Sequence, residues 1–393
     1  HVSGDAVLTE VGRRLSAAVR PNDFVGRIGG DEFIVVTFGP TTEDDRVSLG
    51  RRIIESSELP YGDADNLFAL SASVGVAAFD DGLDAAGITP LEAIRCADSA
   101  VYAAKQRGRA RVEVYDAELQ QRIVRDAEVE MSLRQAVRND ELVLDLQPVF
   151  DLNQQRFIAV EALVRWDRPG VGRVPPGLFI PIAERSSLIH EIGRWVLMQS
   201  CEVLAHWAQF PALSHLRIAG NIAGSHLVDG GLLDDIDAAI AQTGADPRRL
   251  AVELTETQLM HDIDRATAVL RQVRERGVTV AIDDFGTGYS SMAYLRELPI
   301  DALKIDRSFV ASLSDGGIDS TVVDALLTIG HGLGRTVIGE GVETQEQLES
   351  LRHRGCDYVQ GIHLARPLSL SHVQALLLDH ARDQMLSLDG SAS

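Results

Sequence analysis

Residues 157–166 read FIAVEALVRW, an apolar, β-prone run that carries a single carboxylate, Glu161. Six later runs follow the same plan: LRIAGN (216–221), LAVELTE (250–256), VTVAIDDF (278–285), DALKID (301–306), TVIGEGVE (336–343) and YVQG (358–361). Each delivers polar residues at or near its end: Glu161, Asn221, Glu253, Asp283 with Asp284, Lys304, Glu340 and Gln360. The intervals are roughly 20 to 60 residues, about what a strand and its return helix need. A β/α barrel gathers its active site from the C-terminal ends of many strands. The pattern therefore predicts a TIM-like barrel whose mouth gathers four carboxylates, an amide and a lysine, and points to a divalent metal centre.

Length and composition bound the rest. A barrel takes about 250 residues, so 393 residues leave room for a second domain. The four parts expected are an α/β unit at 1–112, a linker at 113–138 with a long helix over 115–138, the barrel at 139–378 and a disordered tail at 379–393. The helix has an apolar stripe at Leu119, Ile123, Ala127 and Met131, fit to pack on either domain or on a second copy. A net charge of −21 argues against a nucleic-acid polymer or an anionic membrane as partner. No apolar run approaches the roughly 18 residues of a membrane span. Cys96, Cys201 and Cys356 are too few and scattered for a disulfide framework or a zinc site, which fits a reducing cytoplasm.

The acidic pair needs a special backbone. Successive strand residues face opposite sides, so Asp283 and Asp284 reach one mouth only if the strand bends there. Two adjacent carboxylates suit a pair of metal ions, one carboxylate bridging; an ordinary Asp-Asp turn or helix cap is the alternative. The all-oxygen donor set favours Mg²⁺ or Mn²⁺ over zinc. Lys304 among carboxylates can orient an attacking water or stabilise a charged transition state; a plain salt bridge to Asp306 or another acid is its structural alternative. Phe285–Ser291, FGTGYSS, has the glycines and small polar residues of a mobile lid or a ligand-contact loop, and Glu256 is placed to anchor it.

These residues resemble the EAL domain, the family of cyclic di-GMP phosphodiesterases. The matching segments are Gln147-Pro148, Glu161-Ala162-Leu163 with Val164-Arg165-Trp166, PPGLFIPIAERSSLI (175–189), Asn221, ELTE (253–256), DDFGTGYSS (283–291), LKID (303–306), GEGVE (339–343), VQG (359–361) and ARPL (365–368). The resemblance implies that Glu161, Asn221, Glu253 and Asp283 ligate one metal ion, and that Asp283 and Asp284 engage a second. It implies further that Lys304 orients the water, that Glu340 and Gln360 complete the inner site, that Gln147, Arg165 and Pro181 hold the substrate, and that Glu256 fixes the loop. The reaction implied is hydrolysis of cyclic di-GMP to linear pGpG. Departures from the family pattern are Asp145 and Leu146 in LDLQP and Gly339 in GEGVE.

Residues 24–38, FVGRIGGDEFIVVTF, read as a hairpin around a Gly-Gly turn. By themselves they suit a polar turn as well as a phosphate site. With SASVGVA (71–77) and ADSAVYAAKQRGR (97–109) they resemble the GGDEF diguanylate cyclase domain. That resemblance gives Gly29, Gly30, Asp31 and Glu32 to the GTP and metal site, Asp5 to guanine, and Lys105 and Arg109 to the phosphates. Arg20 and Asp23 resemble its inhibitory product site. The family's first strand and helix would lie ahead of His1 and carry further metal and guanine contacts. The expectation is therefore a longer, bifunctional parent, and no synthesis from GTP by this chain. The alternatives are a silent cyclic di-GMP or GTP receptor, a parent acting mainly as a cyclase, and a two-carboxylate barrel glycosidase, disfavoured by the adjacent Asp pair and 5% aromatic content. The family also implies a homodimer.

Overall fold

The computed structural model describes residues 2–39, 42–63, 66–78, 89–229, 231–260, 262–287, 292–315 and 318–390. Two compact units divide at Glu128 and Val129.

In the first unit, strands β1 (Phe24–Gly29) and β2 (Glu32–Val36) form the antiparallel hairpin expected around Gly30. Gly30 takes φ +53°, open to a residue without Cβ. Strands β3 (Tyr61–Asp63) and β4 (Asn66–Phe68) make a second hairpin. Strand β5 (Val74–Ala77) pairs in parallel with β6 (Val112–Tyr115) across the helix Pro90–Gln106. The sequence pattern places the start of the long helix at Tyr115. Val112 and Val114 instead extend beside Val74 and Val76, and the helix runs from Ala117 to Ala136. Of its stripe only Leu119 is buried, whereas Ile123 and Met131 are exposed.

The second unit is a closed eight-stranded barrel of β7 (Leu142–Asp151), β8 (Arg156–Arg168), β10 (Arg217–Asn221), β11 (Leu250–Thr255), β12 (Thr279–Phe285), β13 (Ala302–Ile305), β14 (Thr336–Gly339) and β15 (Tyr358–Val359). Two short strands, β9 (Gly172–Val174) and β16 (Leu368–Ser369), pair outside the ring on β8 and β7. One feature differs from a regular β/α barrel. β7 runs antiparallel to both of its ring neighbours, β8 and β15. The chain goes from β7 to β8 by the tight turn at 152–155, too short for the crossover that parallel pairing requires. The last helix, Leu370–Gly390, runs into the segment from 379 expected as a disordered tail, with Val373 and Leu377 buried and no Gly or Pro before Gly390.

Period-2 alternation sorts each strand. One face, including Val160, Ile218, Val252, Ile282, Leu303 and Val337, joins the large apolar core shared with the helices. The other face lines the barrel. Two residues before each polar strand end stands a small or apolar one: Ala159, Ala219, Ala251, Ala281, Ala302, Ile338 and Tyr358. Ala281, Ala302 and Ile338 close together with Val149 beneath the polar layer.

Gly361 is placed by packing. A Cβ there would lie 2.1 Å from Val342 O and 2.3 Å from Val342 N, backbone atoms that cannot give way. Val342 N also donates to Gln360 O at 3.0 Å, so this crossing holds the preceding Gln360 in place. Gly361→Ala is expected to destabilise the barrel by about 1–3 kcal/mol, read as a lower urea midpoint; an unchanged midpoint would remove the crossing as a constraint.

Candidate active site

The strand ends converge on one ammonium. Lys304, near the end of β13, is 1% exposed. Its Nζ lies 2.6 Å from Glu340 Oε1, 2.7 Å from Glu253 Oε2, 3.4 Å from Asp283 Oδ1 and 3.5 Å from Glu161 Oε2. Asp306 is not among these partners. It caps the helix Arg307–Ala311 by accepting from the Ser308 amide, so the salt bridges of Lys304 are made with other acids, Glu253 and Glu340 most closely.

Around the ammonium the amides orient the carboxylates. Asn221 Nδ2 donates to Glu161 Oε1 at 2.7 Å, and Gln360 Nε2 donates to Glu161 Oε2 at 2.7 Å and to Gln147 Oε1 at 3.1 Å. Gln147 donates in turn to Ala365 O. Because β7 is antiparallel, Gln147 stands directly opposite Glu161.

The required bend occurs at the acidic pair. Pairing of β12 with β13 slips between Ile282 and Phe285, and Asp284 adopts φ +52°. Aspartate tolerates this left-handed conformation better than most residues. The irregularity turns the Asp284 carboxylate toward that of its neighbour. Two ligand sets result, Glu161 with Glu253 and Asp283, and Asp283 with Asp284 and Glu340, each with oxygens within 4.8 Å of one another.

The electrostatics are those of a site with surplus negative charge. Burial opposes the Lys304 ammonium, but its carboxylate partners outweigh it and hold the group well above the usual lysine range. Burial, reinforced by Glu161 and Asp283, pushes Glu253 well above the carboxylate range despite Lys304. Burial likewise takes Glu340 up to about 8. Burial also works against ionised Glu161, but Lys304, Gln360 and Asn221 overcome it and lower its pKa. Asp284 is raised by burial and then by the charges of Asp283 and Asp306. Five carboxylates thus face one ammonium. Among the described residues the buried Gln360 Oε1, an acceptor, has no hydrogen-bond partner. Oxygen donors, excess negative charge and an unused buried acceptor fit hard divalent cations.

Further out, Glu256 opens the short helix Glu256–Leu259 and accepts from the Gly286 amide at 3.2 Å, a tie between that helix and the start of the FGTGYSS loop. Residues 288–291 of that loop lie outside the described residues. Pro181 is exposed within the helix Pro176–Glu184. Arg165 is half-buried and paired with Asp145, a contact that sequence reading did not anticipate. Asp145 was visible only as a departure from the family pattern.

In the first unit, Asp31 and Glu32 are exposed at the hairpin tip, where Arg27 donates to Gly30 O at 2.9 and 2.7 Å. Asp5 lies exposed on the helix Val2–Ala18, Lys105 in the last turn of Pro90–Gln106, and Arg109 just beyond it at φ +58°. Among the described residues, no group of three or more potential ligands includes Asp31 or Glu32. The Asp23 carboxylate accepts from the Arg20 and Phe38 amides, closing the turn that carries the Arg-x-x-Asp pattern.

Comparison with known proteins follows the same division. The EAL domain model matches residues 130–367, and the model for the diguanylate cyclase GGDEF domain matches residues 1–111. The bifunctional diguanylate cyclase/cyclic di-GMP phosphodiesterase MucR of Pseudomonas aeruginosa is 35% identical over 95% of this chain and 54% of its own length. The cyclic di-GMP phosphodiesterase NbdA of the same organism is 36% identical over 96% of this chain and 47% of its own. The chain therefore spans about half the length of these relatives. Among solved structures, the PaMucR phosphodiesterase in complex with c-di-GMP superposes with a TM-score of 0.60 at 38% identity, over 63% of this chain and 99% of that one.

Lys304→Met leaves the carboxylates without their shared cation. In EDTA the barrel is expected to lose about 3–5 kcal/mol of stability, the cost of breaking a buried ion network. Mg²⁺ should restore more stability to the variant than it adds to the parent. Urea unfolding with and without Mg²⁺ measures both; equal stability of variant and parent in EDTA would contradict the charge balance described.

Proposed function

This chain belongs to the EAL domain family, with a GGDEF domain ahead of its barrel, and we propose that the barrel hydrolyses one phosphodiester bond of cyclic di-GMP to give linear pGpG. The observation that carries this reading is the convergence of Glu161, Glu253, Asp283 and Glu340 on the buried Lys304, with Asp284 turned into the same mouth. The likeness to MucR, NbdA and the PaMucR complex supports the substrate.

In this reading Glu161, Asn221, Glu253 and Asp283 hold one Mg²⁺ or Mn²⁺, and Asp283, Asp284 and Glu340 hold a second. When bound, such ions supply Lewis-acid neutralisation of the phosphoryl oxygens and make water a better nucleophile near neutral pH. Lys304, fixed by Glu253 and Glu340, orients the attacking water. Gln360 and Asn221 keep Glu161 from rotating. Gln147, Arg165 and Pro181 hold the dinucleotide, and Glu256 anchors the loop that begins at Gly286. The water oxygen bonds to phosphorus, the bond from phosphorus to the ribose 3′ oxygen breaks, and that oxygen takes a proton. The phosphate stays on the 5′ side, which yields pGpG.

The GGDEF unit carries GTP recognition in this proposal, through Gly29, Gly30, Asp31, Glu32, Asp5, Lys105 and Arg109, with Arg20 and Asp23 as a site for the cyclic product. The whole protein is then a cytoplasmic, homodimeric enzyme of cyclic di-GMP turnover.

The test is chromatographic analysis of products after incubation with cyclic di-GMP. We expect pGpG with Mg²⁺ or Mn²⁺, and none in EDTA or from Asp283→Ala. Binding of cyclic di-GMP without product in any metal would make the barrel a receptor instead.

A further inference from the structure

We propose that Asp145 is a positioning residue for the dinucleotide, acting through the guanidinium of Arg165. The proposal rests on the cyclic di-GMP reading above and goes beyond it by assigning a role to a residue where this chain departs from its family's pattern.

The register of the antiparallel pair places the two residues. Gln147 stands opposite Glu161, Asp145 opposite Leu163 and Val143 opposite Arg165. Asp145 and Arg165 are therefore diagonal neighbours, on the strand face that carries Glu161 and Gln147. Arg165 is four residues beyond Glu161, roughly 13 Å along the strand. It sits past the carboxylate cluster, at the distance where the far part of a dinucleotide would lie.

The contacts occupy two of the five N–H donors of Arg165. Its Nε donates to Asp145 Oδ2 at 3.1 Å and its Nη1 to Val164 O at 3.0 Å. Among the described residues its Nη2 has no partner. Asp145 is 7% exposed and is held from its other side by Arg173, whose Nη1 lies 3.1 and 3.3 Å from the two carboxylate oxygens. Arg173 is clamped in turn by Asp167, at 2.8 and 3.0 Å. Asp145 also belongs to the edge pairing of β7 with β16, opposite Ser369. A buried carboxylate in this setting is a fixed point. It holds a long, flexible arginine in one orientation before ligand arrives, and a pre-ordered side chain spares the ligand the entropy of ordering it. The same arginine without that partner would bind the ligand less tightly while leaving the reacting atoms undisturbed.

The full chain carries the test, in Asp145→Ala, Asp145→Asn, Arg165→Ala and the Asp145→Ala/Arg165→Ala double variant. Readouts are kcat and KM for cyclic di-GMP in Mg²⁺, and Kd in Ca²⁺, a cation ill suited to activating water. Asp145→Ala is expected to raise KM and Kd about tenfold, the scale of one charge-assisted contact, with kcat changed less than about twofold. Asp145→Asn keeps an acceptor oxygen for Arg165 Nε and should lose about threefold; it also serves if the alanine variant fails to fold. The double variant should bind no more weakly than Arg165→Ala alone, because the two residues act as one. If Arg165→Ala raises KM while both Asp145 variants match the parent, the proposal falls and the cyclic di-GMP reading stands. An equal loss from Asp145→Ala with or without Arg165 also overturns it, since Asp145 would then act elsewhere. If Arg165→Ala leaves both KM and Kd unchanged, or the parent neither binds nor cleaves cyclic di-GMP, the reading beneath the proposal fails first.

Discussion

One buried ammonium organises the mouth of this barrel. Lys304 is 1% exposed and within 3.5 Å of four carboxylates contributed by β8, β11, β12 and the end of β14. Burying an isolated charge of either sign is costly, so neither lysine nor carboxylates could occupy these strand ends without the others. The layer below reflects the same constraint from the apolar side. Ala281, Ala302, Ile338 and Val149 close the interior two residues beneath the polar atoms and offer them no alternative partners. The polar groups must satisfy each other or bind something from the mouth.

Backbone irregularities do the remaining placement. A regular β12 would send Asp284 to the helix-facing side, and the slip in pairing with φ +52° at Asp284 prevents that. At the end of β15, Gly361 crosses the backbone of Val342 and holds Gln360 against Glu161 and Gln147. The reversed direction of β7 brings its early residues to the mouth, so that Gln147 and Asp145 meet the second half of β8.

What sequence could disclose follows from how local each signal is. The runs ending in Glu161, Glu253, Asp283 and Lys304 announce themselves by period 2 and by one polar residue in an apolar context, and the barrel followed from their spacing. The need for a bend at Asp283-Asp284 was also legible, because it is a property of any strand. The direction of β7 was not, since a run such as LVLDLQPVFD has the same alternation whichever way it runs. Nor were the partners of Asp306 and Asp145. Asp306 was adjacent enough to Lys304 to suggest a bridge, yet capping the next helix satisfies it locally. Asp145 meets Arg165 and Arg173 only because two hairpins fold together across 20 and 28 residues. The strand Val112–Tyr115 was hidden for a related reason: four residues beside a long helix carry too short a period to separate from it.

The charge balance bears on how many ions the proposed enzyme needs. Five carboxylates against one ammonium leave a formal charge of −4 at the mouth, with Glu161, Glu253, Asp283, Asp284 and Glu340 ionised. Without metal, protonation relieves part of it, which is the meaning of the raised Glu253 and Glu340. A substrate with two phosphates adds negative charge to the same space and would be repelled from such a site. One divalent ion leaves the surplus only half cancelled. Two cancel it, and the two ligand sets that share Asp283 supply a place for each. On this reading the ions offset the carboxylates and make the mouth tolerable to the substrate's negative charge, and Lys304 is the permanent cation that offsets part of the same surplus.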